Sequence, residues 1–200
     1  MYCSLSPTRK GVGLMETIIV CGMPAAGKTD AARILAHMLG VKEINGGDIL
    51  KEMAQEQGYK VGGDDWWDTP EGMRFTNERK KDPEFDEEAD RRMIAKINKG
   101  DIVVTSYTMP WLSKVGFKVW LDANHDVRAH RMAHRDSTSV EHSKKVLSER
   151  EEKNRKIYMD LYGIDLGRDK KPFDAIIDTD KLTAEQVAEE IMKIYKKRKS

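Results

Sequence analysis

The sequence predicts an α/β fold with a five-stranded parallel sheet and helices on both faces. Two observations lead to this prediction. Short β-branched runs alternate along the chain with longer segments whose apolar residues recur at helical spacing. The first run, TIIVCG at 17–22, ends in glycine, as expected for a buried strand that enters a turn. Strands separated by helices favour parallel pairing, with ligands at the carboxyl ends of the strands.

The individual elements follow in chain order. Strands are predicted at 17–22, 41–46, 101–107, 117–123 and 174–179. Helices are predicted at 28–40, 48–58, 125–136, 141–163 and 181–199, and the polar segment 58–99 is expected to be mostly helical or irregular. Gly40 is a natural C-cap, and Asp48 is the predicted N-cap of the second helix. Thr183 and Gln186 are spaced as a capping box for the last helix.

The composition indicates one globular domain. The chain has 200 residues, of which 34% are charged, and its formal net charge of +1 gives no argument for binding nucleic acid or an anionic membrane. No apolar run approaches the roughly 20 residues of a membrane span. Residues 1–15 lack the apolar core of a secretory signal and are expected to be a tail, with Met15 a candidate natural start. Cys3 and Cys21 cannot build a disulfide framework or a zinc site, so we expect a cytoplasmic protein.

The segment GMPAAGKT at 22–29 fits the pattern G-x-x-x-x-G-K-[ST] at every fixed position. Its two glycines allow the loop to curl, so that the amides from Met23 to Thr29 and the dipole of the following helix face a phosphate. Lys28 is expected to reach the β- and γ-phosphates of a nucleotide, and the Thr29 hydroxyl to ligate Mg²⁺. A chance match to a loose pattern is the alternative, but a strand precedes the loop and a helix follows it.

The ends of the other strands bring polar groups to the same edge of the predicted sheet. Asp48, Tyr107 and Asp122 each follow or end a strand. In the helix after the fourth strand, Arg128, Arg131 and Arg135 lie on one face, where they could close over a γ-phosphate. A solvated basic face is the alternative. His130 and His134 have the spacing of metal ligands but no evident third ligand, so solvated histidines are expected.

A GTPase switch is the rival function from another class. Residues 98–101 read N-K-G-D and match the guanine motif N-K-x-D. That motif should follow a strand, whereas here it ends a charged helix and precedes a strand. Gly100 is better interpreted as a helix C-cap.

Six segments together carry a resemblance to a known family: GMPAAGKT, GGDILKEMA, DPEFDEEADRR, KVWLDANHDVRAHRMAHRD, EREEKNRKIYMDLYGIDL and DAIIDT. Over nearly the whole chain after Met15 they resemble the short archaeal-type cytidylate kinases of the nucleoside monophosphate kinase superfamily. The resemblance implies a P-loop kinase with ATP as the donor. It implies one domain at 16–200, with its core at 16–47, 99–127 and 169–200, an acceptor-binding insert at 48–98 and a lid at 128–168.

These patterns together define the expected donor site. The nucleotide-binding residues are expected to be Gly22, Met23, Pro24, Ala25, Ala26, Gly27, Lys28, Thr29, Asp30 and Arg128. The catalytic residues are expected to be Lys28, Asp48, Arg131 and Arg135. Asp48 could orient the acceptor hydroxyl or accept its proton.

The chain departs from the family pattern on the acceptor side. Lys51, Tyr107 and Ile157 stand where the family has arginines that hold the acceptor's phosphate. Lysine loses the bidentate fork of arginine, and the other two residues have no charge. Other basic side chains, among them Arg79 and Arg92, could supply charge for a different anionic acceptor, and paired tryptophans could wall its pocket or form the insert's core. The expected acceptor-binding residues are Asp48, Lys51, Trp66, Trp67, Arg74, Arg91, Tyr107 and Arg150.

The sequence therefore predicts an ATP-dependent kinase acting on a small, anionic, already phosphorylated metabolite that is not a nucleotide. Divergent kinases of this general kind phosphorylate mevalonate 3-phosphate in an archaeal isoprenoid route, and this compound is the named candidate. A kinase for CMP or dCMP is the first alternative, and a GTPase-like switch is the second. The oligomeric state is left open.

Overall fold

The computed structural model describes residues 15–62, 66, 69–79 and 83–199. The predicted tail before Met15, with Cys3, and the acceptor-site candidate Trp67 lie outside the described residues, as does the side chain of Arg79. Five strands form one sheet: β1 (Ile18–Gly22), β2 (Lys42–Asn45), β3 (Ile102–Thr105), β4 (Phe117–Asp122) and β5 (Ala175–Asp178). All four pairings are parallel, in the order β2-β3-β1-β4-β5, which confirms the predicted fold class.

Eight helices connect or cover the strands within the described ranges: α1 (Lys28–Leu39), α2 (Gly46–Glu56), α3 (Pro70–Arg79), α4 (Pro83–Lys99), α5 (Met109–Leu112), α6 (His125–Asp136), α7 (Val140–Tyr162) and α8 (Ala184–Lys199). Gly40 adopts the left-handed conformation and caps α1, as predicted. Thr183 and Gln186 exchange backbone–side-chain hydrogen bonds of 2.9 and 3.3 Å before α8, which is the predicted capping box. None of these helices combines the length and apolar composition that crossing a bilayer requires.

The strand β1 divides the core between the two faces of the sheet. Ile18 and Val20 pack with α1 and α8 on one face, where Leu35 and Ile191 are fully buried. Ile19 packs on the other face with α2, α4 and the aromatic residues of the insert. Because successive residues of a strand point to opposite faces, both faces are apolar and both are covered by helices.

The start of α2 differs from the prediction. The helix begins at Gly46, and its N-cap is Asn45 rather than Asp48. The Asn45 side chain accepts a hydrogen bond from the Asp48 amide at 3.2 Å, and the Asp48 carboxylate accepts one from the Asn45 amide at 2.8 Å. This reciprocal capping box satisfies two backbone donors, whereas a lone cap at Asp48 satisfies one, so the helix starts earlier.

The segment 98–101 lies away from the carboxyl ends of the strands. Gly100 has φ +74° and follows α4, as expected for a helix C-cap. Asp101 exchanges hydrogen bonds of 2.8 Å with Met15, at the beginnings of β1 and β3. The N-K-x-D match therefore lies at the opposite edge of the sheet from the P-loop, which removes the structural basis of the switch interpretation.

Candidate active site

The P-loop connects β1 to α1 and depends on two glycines. A Cβ atom on Gly22 would stand 2.5 Å from the backbone oxygen of Leu121, so only glycine allows the loop to leave β1 this close to β4. Gly27 has φ +89°, a conformation that favours glycine, immediately before α1. The buried Met23 and Ala26 shape the loop, while Pro24, Ala25, Lys28 and Thr29 line a cavity. Asp30 is exposed in the first turn of α1.

Lys28 lies between the loop and the ring of Tyr107. Its Nζ donates a 2.9 Å hydrogen bond to the Met23 carbonyl and is 4.8 Å from the centroid of the Tyr107 ring. Burial lowers the pKa of Lys28 to about 8, and the positive charges of Arg150 and Arg128 add to the effect. The site without nucleotide is thus short of negative charge, and a phosphate is the natural counter-charge.

This shift predicts a pH dependence of ATP binding. As the pH rises through about 8, Lys28 of the free protein loses its proton and the phosphates lose a positive partner. The dissociation constant for Mg·ATP is expected to rise above this pH by up to about tenfold per pH unit. Calorimetric titrations across the range test this, with Lys28→Arg as the control because arginine stays charged throughout. An affinity of the wild type that stays constant across the range would contradict the assigned environment of Lys28.

Thr29 suits a role as a magnesium ligand. It is exposed, it lines the cavity at the start of α1, and its hydroxyl has no protein hydrogen-bond partner within the described part of the chain. No group of three or more histidine, cysteine or acidic side chains in that part could hold a metal alone. This combination fits Mg²⁺, which usually binds through one or two protein oxygens and the phosphates of its nucleotide.

A cavity of about 730 Å³ extends from the P-loop at the carboxyl ends of the strands. Its walls come from the P-loop, the start of α2, the end of β3, and helices α4, α6 and α7. The residues on the insert side are Ile49, Leu50, Asp86, Ala89, Asp90, Met93, Thr105, Ser106, Tyr107, Thr108 and Met109. The residues on the lid side are Met132, Arg135, Arg150, Ile157, Tyr158, Leu161 and Tyr162. A nucleotide's terminal phosphate and a second small molecule can therefore meet in this cavity.

The three arginines of α6 have three different environments. Arg128 is buried and bonds to the carboxylate of Glu151, to the carbonyl of Pro24 at 3.2 Å and to that of Ala123 at 3.0 Å. Its guanidinium thus joins the P-loop to α7. The expected contact of Arg128 with the nucleotide stays a prediction. The alternative interpretation, that Arg128 belongs to a solvated basic face, is wrong because this side chain is buried.

The other two arginines lie closer to solvent. Arg131 donates to the backbone carbonyl and hydroxyl of Thr179 and lies against the Ala26 carbonyl. It contacts the P-loop but is not part of the described cavity lining. Arg135 lines the cavity and forms a bidentate pair with Asp136 at 2.6 and 2.8 Å. Of the three, Arg135 is placed to approach a transferred phosphate.

The expected acceptor residues divide into two groups. Tyr107 and Arg150 line the cavity, as does Ile157, the third position that departs from the family pattern. The others lie outside the cavity lining of the described chain: Asp48, Lys51, Trp66, Arg74 and Arg91. Trp66 is 2% exposed and packs 5.6 Å from the Phe75 ring, so it belongs to the core of the insert. This agrees with the alternative that the sequence left open.

The basic residues of the insert bind acidic neighbours on its outer side. Arg74 lies 3.9 Å from Glu78, and Arg91 lies 2.9 Å from Glu88. Arg92 pairs at 2.7 Å with both Glu88 and Glu56. An anionic acceptor in the cavity would not reach these cations.

Several polar residues of the cavity were not expected from the sequence, among them Asp86, Asp90, Tyr158 and Tyr162. The Tyr162 hydroxyl donates a 2.7 Å hydrogen bond to Asp90 and so connects α7 to α4. The rings of Tyr158 and Tyr107 are 5.8 Å apart. The sequence did contain a signal for the cavity wall that α4 forms. Helical spacing places four of its residues on one face: Asp86, Ala89, Asp90 and Met93.

Comparison with known proteins identifies the family. A family model described as an AAA domain matches residues 18–159. The cytidylate kinase of Pyrococcus horikoshii is 36% identical over 171 residues, covering 85% of this chain and 83% of that protein. The chain belongs to the P-loop kinases related to cytidylate kinases. A second relative, the cytidylate kinase of Thermococcus kodakarensis, is 37% identical to this P-loop kinase over 163 residues. The match covers 81% of this chain and 78% of the relative.

A solved structure supports the fold of this P-loop kinase. Shikimate kinase from Acinetobacter baumannii, in complex with shikimate, aligns with a TM-score of 0.55 over 92% of this chain and 95% of that chain. Its sequence identity of 18% limits the comparison to the fold. As a member of this family the chain is an ATP-dependent phosphotransferase, and the cavity beside its P-loop is the candidate active site.

Proposed function

We propose that this kinase transfers the γ-phosphate of Mg·ATP to a small acceptor that is not a nucleotide. The observation that supports this is the identity of two cavity residues. Tyr107 and Ile157 line the acceptor cavity at positions where the family pattern has arginines for the acceptor's phosphate. Without those guanidiniums a nucleoside monophosphate loses its charge-assisted hydrogen bonds, each of which contributes about 1.5–3 kcal/mol.

The donor half of the cavity can perform the transfer. An acceptor oxygen forms a bond to the γ-phosphorus while the bond from that phosphorus to the ADP oxygen breaks, and the proton of the acceptor hydroxyl passes to solvent. Lys28, Arg135 and Arg150 supply positive charge to the phosphoryl group. Mg²⁺, held through Thr29 and the phosphates, adds charge neutralisation when it is bound.

A phosphorylated acceptor such as mevalonate 3-phosphate fits the described cavity less well. The side chains proposed to hold its anionic group, Lys51, Arg74 and Arg91, lie outside the cavity lining. Such an acceptor would have to share Lys28, Arg135 and Arg150 with the nucleotide. A role in isoprenoid synthesis has no support beyond the analogy with other divergent kinases.

A kinase for CMP or dCMP is the second candidate, and the relatives favour it. Two cytidylate kinases match more than four fifths of the chain at 36% and 37% identity. The carboxylates of Asp86 and Asp90 could accept hydrogen bonds from the amino group of cytosine. The comparisons support this acceptor better than a non-nucleotide metabolite, whereas the loss of the phosphate-binding arginines argues against it.

One experiment decides between the two candidates. The protein is incubated with Mg·ATP, and ADP release is measured against CMP, dCMP, UMP and a panel of hydroxylated metabolites with and without phosphate groups. Turnover of CMP with a kcat/KM above about 10⁴ M⁻¹s⁻¹, the lower end of ordinary enzymes, would overturn the first proposal. A non-nucleotide that exceeds CMP by tenfold or more would support it.

The sequence predicts that Asp48 orients the acceptor, and this stays a prediction because its carboxylate caps α2 and lies outside the described cavity lining. Asp48→Asn is then expected to lower turnover far more than Mg·ATP binding, which titration and steady-state kinetics measure separately. Thr183→Ala is the control because it breaks a capping box of the same kind at the start of α8, outside the described cavity lining. If both variants lose turnover and thermal stability in parallel, Asp48 acts only as a helix cap.

A further inference from the structure

We infer that the acceptor is an alcohol that carries no phosphate of its own. This inference rests on the proposed function and names the substrate class of the same site. The acceptor's reacting hydroxyl would lie toward Lys28, and a hydrogen-bond donor at its other end would lie toward Asp90. Its body would contact the apolar side chains between these two ends.

The positive and the negative side chains of the cavity come from different elements. The positive side chains of its described lining are Lys28, Arg135 and Arg150, all on the P-loop or the lid. The acidic side chains of the lining, Asp86 and Asp90, both belong to α4 of the insert. A phosphate monoester carries about two negative charges near neutral pH. The three cations are needed by the transferred phosphoryl group, so a second phosphate deeper in the cavity would face carboxylates without a cation of its own.

The charged and the apolar cavity residues of the lid helix α7 lie apart. Arg150 is followed seven residues later by Ile157, about 10 Å further along the helix, and then by Leu161. These two apolar side chains line the cavity while being 38% and 56% exposed. Covering this apolar surface with the apolar face of a ligand removes it from water and so contributes favourably to the free energy of binding. A second phosphate at this point would be desolvated against hydrocarbon without a compensating charge.

Tyrosines mark the boundary between the two halves. The centroid of the Tyr107 ring lies 4.8 Å from the Lys28 Nζ and 5.8 Å from the centroid of the Tyr158 ring. Tyr107 stands where the family pattern has an arginine, which could donate several hydrogen bonds to a phosphate. The phenol of Tyr107 can donate one. Burial raises the pKa of this phenol, so it stays neutral. A neutral phenol suits an alcohol or ether oxygen of an acceptor.

The far end of the cavity is built to accept hydrogen bonds. Tyr162 donates to the Asp90 carboxylate across the gap between α7 and α4 and thereby holds it at the cavity wall. Asp86 lies one helical turn away on the same face of α4. Carboxylates accept but do not donate, so a ligand group that contacts them would be an amine, amide or hydroxyl hydrogen.

The test measures binding of a matched pair of compounds that differ by one phosphate. Cytidine and CMP are titrated calorimetrically into the protein saturated with magnesium and a non-hydrolysable ATP analogue. The wild type is expected to bind cytidine at least as tightly as CMP. Binding of CMP tenfold or more tighter than cytidine would overturn the inference.

A pair of variants tests the two positions themselves. Tyr107→Arg/Ile157→Arg is expected to strengthen CMP binding by at least about tenfold while cytidine binding changes less than threefold. Tyr107→Phe/Ile157→Met is the control, since it changes the same positions without adding charge. Circular dichroism and melting curves confirm that both variants fold. An arginine variant that folds but gains no affinity for CMP would overturn the inference even if the wild type binds neither compound.

The binding readout separates this inference from the proposed function. If no compound of the acceptor panel stimulates ADP release, the proposed function fails. The gain of CMP affinity in the arginine variant would still show that positions 107 and 157 decide phosphate recognition in the cavity.

Discussion

Lys28→Ala is expected to lower kcat/KM for phosphoryl transfer by about 1,000-fold with every true acceptor. Lys28 is the cation that the P-loop itself places in the cavity, and its Nζ is held near the loop by the Met23 carbonyl. Removing one donor that stabilises developing charge typically costs about 2.7–4 kcal/mol of transition-state stabilisation. Release of ADP in a coupled assay measures the loss, and the melting temperature shows whether the variant is folded.

Lys118→Ala is the matched control for this prediction. Lys118 also donates to a backbone carbonyl, that of Ser113 at 2.6 Å, but it does not line the described cavity. Its removal is expected to leave kcat/KM within about twofold. A Lys28→Ala protein that folds and keeps more than a tenth of the activity would contradict the placement of phosphoryl transfer at the P-loop.

The sheet and the P-loop could be predicted because both depend on local patterns. A β-branched run that ends in glycine predicts β1, and the fixed positions of the loop require a strand before and a helix after it. The parallel pairing of the strands follows from the helices between them, whereas their order in the sheet was not predicted. The cap of α2 could also have been predicted, since Asn45 lies three residues before Asp48, the spacing of a capping box.

The acceptor side could not be predicted because it depends on contacts between distant segments. Helical spacing puts Arg128, Arg131 and Arg135 on one face, but only packing against the P-loop and α7 decides that the first is buried and the last is exposed. Likewise, charge alone does not show that Arg91 pairs with its own helix on the outer side of the insert. Basic residues near a site in sequence are a weak guide to the charge inside its cavity.

The buried pair of Arg128 and Glu151 leads to the largest expected effect on stability. Their side chains are 6% and 10% exposed, and the guanidinium also bonds to carbonyls of the P-loop and of the segment after β4. Arg128→Ala leaves the Glu151 carboxylate buried without its main partner, which typically destabilises by about 3–5 kcal/mol. For a chain of this size the melting temperature is expected to fall by roughly 10 °C, as measured by calorimetry or circular dichroism.

The double variant Arg128→Met/Glu151→Leu distinguishes two causes of lost stability: a buried charge left without its partner, and the loss of the ion pair itself. Apolar side chains of similar volume fill the space and leave no buried charge, so we expect most of the stability to return. Lys144→Ala, which breaks the exposed pair of Lys144 with Asp126, is expected to leave the melting temperature nearly unchanged. If Arg128→Ala instead melts within about 2 °C of the wild type while Mg·ATP affinity falls tenfold or more, Arg128 serves the nucleotide, as its position in the sequence had suggested. Since the same guanidinium contacts the Pro24 carbonyl, loss of the pair should also loosen the P-loop, and ATP affinity should then fall together with stability rather than without it.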